Sequence, residues 1–159
     1  MTEYFKVLSE SEFDQLKDAI ALITVYIAGA DGKINEDETK WAEKITKIRS
    51  YSLPSALTKF YEEVGVDFHE RMENYMTTLS DLETRNSTVA TKLTALNPIL
   101  AKLSPQLGAT LYNSYLSFAK LVAKASGGLF GFFSISAKEA ALLDLEMITP
   151  IIWEEEEEV

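Results

Sequence analysis

The sequence predicts an all-α protein, built as a single compact bundle of about seven helices. Apolar residues recur at three- and four-residue steps, capping signals precede several of these stretches, and no stretch alternates like a β-strand. With 159 residues and 47% hydrophobic content, one domain of this size buries roughly 70% of its unfolded surface. We therefore expect a helical domain over residues 1–152 and an acidic, disordered tail over residues 153–159.

The first two predicted helices each begin with a capping box. Ser9 followed by Glu12 begins the first helix, which is apolar nearly all round towards its end and is expected to end within residues 29–32. Asn35 followed by Glu38 begins the second helix. The spacing of its apolar residues predicts a buried stripe of Trp41, Ile45 and Ile48.

Proline and glycine divide the middle of the chain. Pro54 suits the first turn of a third, short helix that is expected to end near Gly65, and Asp67 is a suitable cap for a fourth. A fifth helix over about residues 84–103 must bend or break before Pro98, because proline lacks the backbone N–H donor.

Two further helices are predicted in the last third of the chain. Ser104 and Pro105 begin a sixth helix in the favoured order of cap and then proline. Its inward residues are predicted to be Leu107, Leu111, Tyr115, Phe118 and Val122. Ser136 and Glu139 form another capping box ahead of a last helix through Ile148.

Composition and charge exclude several functional classes. The chain has no cysteine, which excludes disulfides, thiolate metal sites and cysteine nucleophiles. Twenty-five acidic and fifteen basic residues give a net charge of −10, which disfavours nucleic acid and anionic membrane surfaces. The N-terminus is unlike a signal peptide, and the longest apolar run is too short to span a bilayer. We expect a soluble cytoplasmic protein.

The sequence contains no catalytic constellation. His69 is the only histidine, and nothing in the sequence places a nucleophile beside it. A surface or packed histidine is the simpler interpretation. Nucleotide-binding loops are also missing, because the glycines at 127, 128 and 131 are not followed by the lysine of a phosphate-binding loop. We expect a protein that is not an enzyme.

The most informative motif is AGADGKINEDE, residues 28–38, which matches the second half of a calcium-binding EF-hand loop. With Asp31 at position 5 of that loop, Gly32 and Glu38 take positions 6 and 12. Positions 1 and 3 fall on Ile27 and Gly29, which offer no side-chain oxygen. The segment therefore cannot fold as an EF-hand.

Two interpretations of this motif stay open. In the first, Asp31, Asn35 and Glu38 bind a divalent cation (calcium, magnesium or manganese), and Glu139 contributes if its loop lies nearby. In the second no metal binds, and the acidic residues are explained by the helix alone, because each acidic residue in the first turn stabilises a helix by roughly 0.3–1 kcal/mol. Asn35 and Glu38 are explained by capping in either case.

The same motif resembles the TerB-like (tellurite-resistance protein B) domains. The resemblance lies in the apolar helix that ends in residues 28–35, in Glu38, and in a weaker repeat of this pattern near the C-terminus. It implies an all-helical domain of roughly seven helices that binds divalent metal through acidic positions, in settings of metal or chemical stress. Asp31 and Glu38 match those positions, as does Glu139, whereas Ser126 replaces the expected aspartate of the second loop.

The glycine-punctuated loop GGLFGFFS, residues 127–134, also has two interpretations. Its four large apolar residues either insert into a partner or a membrane interface, or fold back over the bundle as a lid. The acidic tail opposes contact with an anionic membrane, so a protein partner is the better functional interpretation.

Two functions follow from these observations. The leading one is a non-enzymatic TerB-like domain that binds a divalent metal and acts as a stress-response or protein-interaction module. The alternative is a metal-free helical adaptor that binds a peptide or lipid through loop 127–134 or an interhelical groove.

Overall fold

The computed structural model describes residues 2–30, 32–52, 55–128 and 142–154. In these ranges the chain is helical, without any strand, which confirms the all-α prediction. A 3₁₀ turn at Glu3–Phe5 precedes α1 (Glu10–Ala28), α2 (Glu36–Ser52), α3 (Ser55–Thr78), α4 (Leu82–Thr94), the one-turn α5 (Leu96–Leu100) and α6 (Pro105–Gly128). Five of these helices are long, and a count of about seven does not follow from the described residues.

Helix α1 is the centre of the bundle, as its apolar sequence predicts. It packs against each of the other five helices, and most of its residues are buried. The predicted capping box is present, with Ser9 Oγ accepting from the Glu12 N–H at 3.1 Å and Glu12 Oε2 accepting from the Ser9 N–H at 2.9 Å. The helix ends at Gly29, whose N–H donates to the carbonyl of Val25 at 3.0 Å.

The predicted third and fourth helices are one continuous helix, α3, so the expected break at Gly65 is wrong. A glycine inside a helix costs only about 1 kcal/mol relative to alanine. The buried face of α3 outweighs this cost, and its members are Leu57, Phe60, Tyr61, Val64, Phe68, Met72 and Tyr75. Asp67, expected as a cap, lies inside the helix and accepts from Arg71.

The buried stripe of α2 differs from the prediction. Ile45 is buried, but Trp41 and Ile48 are 41% and 39% exposed. Arg49 lies on the inward side instead, where Nη1 donates to Tyr61 Oη and to the Ser114 carbonyl, both at 3.0 Å. The inward side of α2 therefore combines the apolar Ala42 and Ile45 with the buried polar residues Thr46 and Arg49, which the spacing of apolar residues alone does not reveal.

The predicted break ahead of Pro98 is confirmed, because α4 ends at Thr94 and α5 begins at Leu96. The start of α6 is also confirmed, since Ser104 Oγ accepts from the N–H of Leu107 at 3.3 Å. Four of its predicted inward residues are buried and Leu107 is partly buried.

The end of the chain differs from the predicted last helix. After Leu142 the described residues form turns, with Leu145 in a left-handed conformation at φ 43°. Leu145 and Ile148 are nevertheless buried. Asn97 fastens this segment, because its Nδ2 donates to the Met147 carbonyl at 2.9 Å and its Oδ1 accepts from the Thr149 N–H at 2.8 Å. The loop predicted at 127–134 begins later than expected, because α6 continues through Gly128. Its remainder, the capping box at 136–139 and the glutamates at 155–158 lie outside the described residues.

None of the helices in the described ranges combines the length and the hydropathy that a bilayer-spanning segment requires.

Candidate functional site

The loop between α1 and α2 forms a tight turn ahead of the α2 capping box. Gly32 has a φ of +103°, which favours glycine, and its N–H donates to the Gly29 carbonyl at 2.9 Å. Asn35 Oδ1 accepts from the Glu38 N–H, and Glu38 Oε2 accepts from the Asn35 N–H, both at 2.9 Å. Glu38 is only 6% exposed. The predicted capping box is therefore confirmed.

A buried arginine lies against the end of α1. Arg85 of α4 is 2% exposed, and its Nη2 donates to the Gly29 carbonyl at 2.9 Å while its Nη1 donates to the Leu79 carbonyl at 3.3 Å. The guanidinium stabilises the negative end of the helix dipole. The Gly29 carbonyl is thus bonded to a cation of the protein itself.

The four predicted metal ligands are only partly placed by the structure. Asn35 and Glu38 lie together through their capping bonds, whereas Asp31 and Glu139 fall outside the described residues. Over the described part of the chain, no group of three or more acidic or histidine side chains could hold a metal ion. A divalent-cation site at these four residues stays a prediction.

A second polar site, which we call the Arg71 cluster, joins α1, α3 and α4. It consists of Asp14, Asp18, Asp67, Arg71, Tyr75 and Lys92. Arg71 donates two bonds of 2.9 Å to Asp67, one of 3.0 Å to Asp18 and two to Asp14, the longer of which is 3.5 Å. The guanidinium therefore lies at the point where three carboxylates converge.

The ionisation of the Arg71 cluster follows from these bonds. Hydrogen bonds from Arg71 lower the pKa of Asp67. Burial opposes the charge of Arg71, but its bonds to Asp67, Asp14 and Asp18 raise the pKa of the guanidinium. Burial, and then the bond to Asp18, raise the pKa of Tyr75. The cluster is an ion-paired clamp between helices. Its signals in the sequence are two pairs of charged residues four positions apart, Asp14 with Asp18 and Asp67 with Arg71.

His69 lies on the surface, beside an open groove of about 530 Å³ between α2 and α3. Its Nδ1 is 3.5 Å from Glu43 Oε2 and its Nε2 is 3.2 Å from Glu73 Oε1. These two carboxylates face opposite edges of the imidazole and do not converge on one point. The surroundings agree with the interpretation of His69 as a surface residue.

The third region is the outward side of α2, which we call the α2 outer face. It consists of Lys40, Trp41, Lys44, Lys47, Ile48 and Tyr51, all of which are exposed. Tyr51 is 71% exposed, and the Nζ of Lys44 lies 5.4 Å from the centre of the Trp41 ring. Sequence reasoning missed this face because it placed Trp41 and Ile48 in the core. The lysines at the same three- and four-residue spacing are the signal that could have identified it.

The geometry thus gives a capped loop, an ion-paired clamp and an exposed aromatic and basic helix face. The resemblance to TerB-like domains depends on the loop at residues 28–38, and it stays a prediction. Comparisons of the chain with protein-family models, with curated proteins and with solved structures find no match.

Proposed function

We propose that the protein is a non-enzymatic helical interaction module that binds a protein partner through the α2 outer face. The observation that carries this proposal is the exposure of Trp41, Ile48 and Tyr51 on one side of one helix. Aromatic residues are enriched among those that dominate binding energies at protein interfaces. From Lys40 to Tyr51 the face extends for about 16 Å, at 1.5 Å per residue, which is enough for a short peptide or helix.

The back of α2 is held firmly, which supports this role. Arg49 donates to Tyr61 and Ser114 and, through Nη2, to Ser117 Oγ at 2.9 Å. Its guanidinium also lies 5.3 and 5.6 Å from the ring centres of Tyr61 and Phe118. A helix fixed in this way presents its outer face with little backbone conformational entropy left to lose on binding.

Quantitative affinity enrichment from the source cells tests the proposal. The variant Trp41→Ala/Ile48→Ala/Tyr51→Ala should lose the partner that the wild type captures. Circular dichroism should show that it still folds, with a lowered thermal midpoint because Trp41 and Ile48 are more than half buried. Val66→Ala is the matched control, because Val66 is an exposed apolar residue of another helix. Capture that survives the triple substitution would refute the α2 outer face as the binding site.

We retain as a second candidate the divalent-cation site of Asp31, Asn35, Glu38 and Glu139, in a TerB-like stress-response module of about seven helices. The left-handed turn at Gly32 favours it, since calcium loops use glycine for a sharp turn at the corresponding position. This candidate and the binding of a protein partner are compatible with each other.

Calorimetry with calcium, magnesium and manganese tests the second candidate. The wild type should release or absorb heat with one of these ions, and Asp31→Asn/Glu38→Gln should not. Glu38→Gln keeps an acceptor for the Asn35 N–H, so the capping box is disturbed less than by alanine. If the wild type gives no heat with any of the three ions, the metal proposal is wrong.

A further inference from the structure

The α2 outer face is basic as well as aromatic, and this combination indicates the chemistry of its partner. Three of its six residues are lysines, in a chain with a net charge of −10, and the exposed carboxylates Glu36 and Glu43 lie along its border. Asp37, one turn before Trp41, marks its N-terminal limit. We propose that this face binds an acidic, amphipathic segment of a partner protein. The inference rests on the proposed function and specifies the partner's charge.

The six residues form three columns along the helix, because residues seven apart lie on the same side. Trp41 and Ile48 form an apolar column at one edge of the face. Lys40 and Lys47 form a basic column at the other edge, and Lys44 and Tyr51 lie between them. A partner helix with an apolar column beside a column of Asp or Glu therefore complements both edges at once.

The width of the face favours a peptide over a membrane or a nucleic acid. Glu36, Glu43 and Glu73 line the groove between α2 and α3, immediately beside the basic column. At physiological salt a charge acts over about 8 Å, so a bilayer laid on α2 would also meet these carboxylates. A single helix laid along the apolar and basic columns would contact the lysines directly and would meet these carboxylates only at its border, where Lys40 also lines the groove. Three lysines also provide few of the phosphate contacts on which nucleic-acid affinity depends.

Selection from a displayed library of randomised peptides tests the inference without a known partner. The wild type should enrich peptides that combine Asp and Glu with large apolar residues at helical spacing. The best peptide should bind Lys40→Glu/Lys44→Glu/Lys47→Glu more than about tenfold more weakly, because like charges then face each other. Exchanging the acidic residues of that peptide for lysine should restore binding to the charge-reversed variant.

The matched control is Lys6→Glu/Lys59→Glu/Lys120→Glu, which changes the net charge equally with exposed lysines of other elements. It should keep the wild-type affinity, and thermal melts should show that both triple variants fold. Affinity should also decrease as salt is added, since the lysine contacts are exposed and screened.

Several results would overturn the inference, and they separate it from the proposed function. If the selection enriches neutral or basic peptides whose binding still requires Trp41, Ile48 and Tyr51, the acidic partner is refuted. The proposed function would then still stand. Peptides whose affinity is unchanged by substitution of the lysines and by substitution of the aromatic residues would refute the proposed function as well. Failure to enrich any peptide would overturn the inference. So would tighter, lysine-dependent binding to phosphatidylserine vesicles or to single-stranded RNA.

Discussion

At the scale of single residues, Gly29 and Arg85 pack closely at the end of α1. A Cβ on Gly29 would lie 2.5 Å from the Val25 carbonyl oxygen and 2.7 Å from Arg85 Cζ. The glycine is required because the guanidinium lies against the end of α1 with no room for a side chain. The sequence predicts a glycine-rich helix end at this point, but nothing local identifies Arg85, which is 56 residues away along the chain.

Gly29→Ala should lower the free energy of unfolding by roughly 1–3 kcal/mol, because overpacking must displace either backbone or a buried guanidinium. Urea denaturation followed by circular dichroism measures this loss. If Gly29→Ala is as stable as the wild type, the placement of Arg85 described above is incorrect.

At the scale of elements, the sequence predicts helix ends better than helix faces. The capping boxes at Ser9 and Asn35 are confirmed because each depends on residues within three positions of one another. The rotation of α2 could not be predicted in the same way. It depends on Arg49, whose partner Ser114 is 65 residues distant in sequence. The same limit applies to the candidate site, where Asn35 and Glu38 were predicted together and the α2 outer face was missed.

Gly65→Ala should raise the free energy of unfolding by about 0.5–1 kcal/mol, because alanine favours a helix interior and the site is open space. The same urea titration measures the gain, with Gly29→Ala as the contrasting substitution. A loss of stability at Gly65 would instead support the break between two helices that the sequence predicted.

At the scale of the whole molecule, ionisable groups tie the helices together and limit the pH range of stability. The Arg71 cluster joins three helices, while Tyr61 of α3 and Tyr115 of α6 are fully buried. Burial raises the pKa of both tyrosines. Stability therefore depends on charged carboxylates at the acidic limit and on neutral tyrosines at the alkaline limit.

Stability should decrease at both limits of pH. The folded-state pKa of Asp67 lies below the ordinary value of 3.8, so its contribution is present above that pH and is lost as the pH falls through the lowered pKa. The pKa of Tyr75 is raised above the ordinary value of 10.0, so its contribution is present below that pH and decreases as the pH rises further.

Urea midpoints measured across pH check this dependence. Asp67→Asn should be less stable than the wild type at neutral pH and should show a smaller decrease in acid. An equal acid dependence in both proteins would mean that the bond between Arg71 and Asp67 does not form.

The attachment of the C-terminal segment to Asn97 has a consequence for local opening. The Thr149 amide is bonded to one side-chain oxygen and belongs to no helix. Nearby, Ile151 packs at Gly108, where an added Cβ would lie 3.6 Å from its Cδ1 atom. Residues 149–154 follow the buried Ile148 and are held less firmly than it, so they can detach while the helices and the buried Leu145 and Ile148 stay in place. Hydrogen exchange at Thr149 would then report this detachment, while amides of α1 report global unfolding.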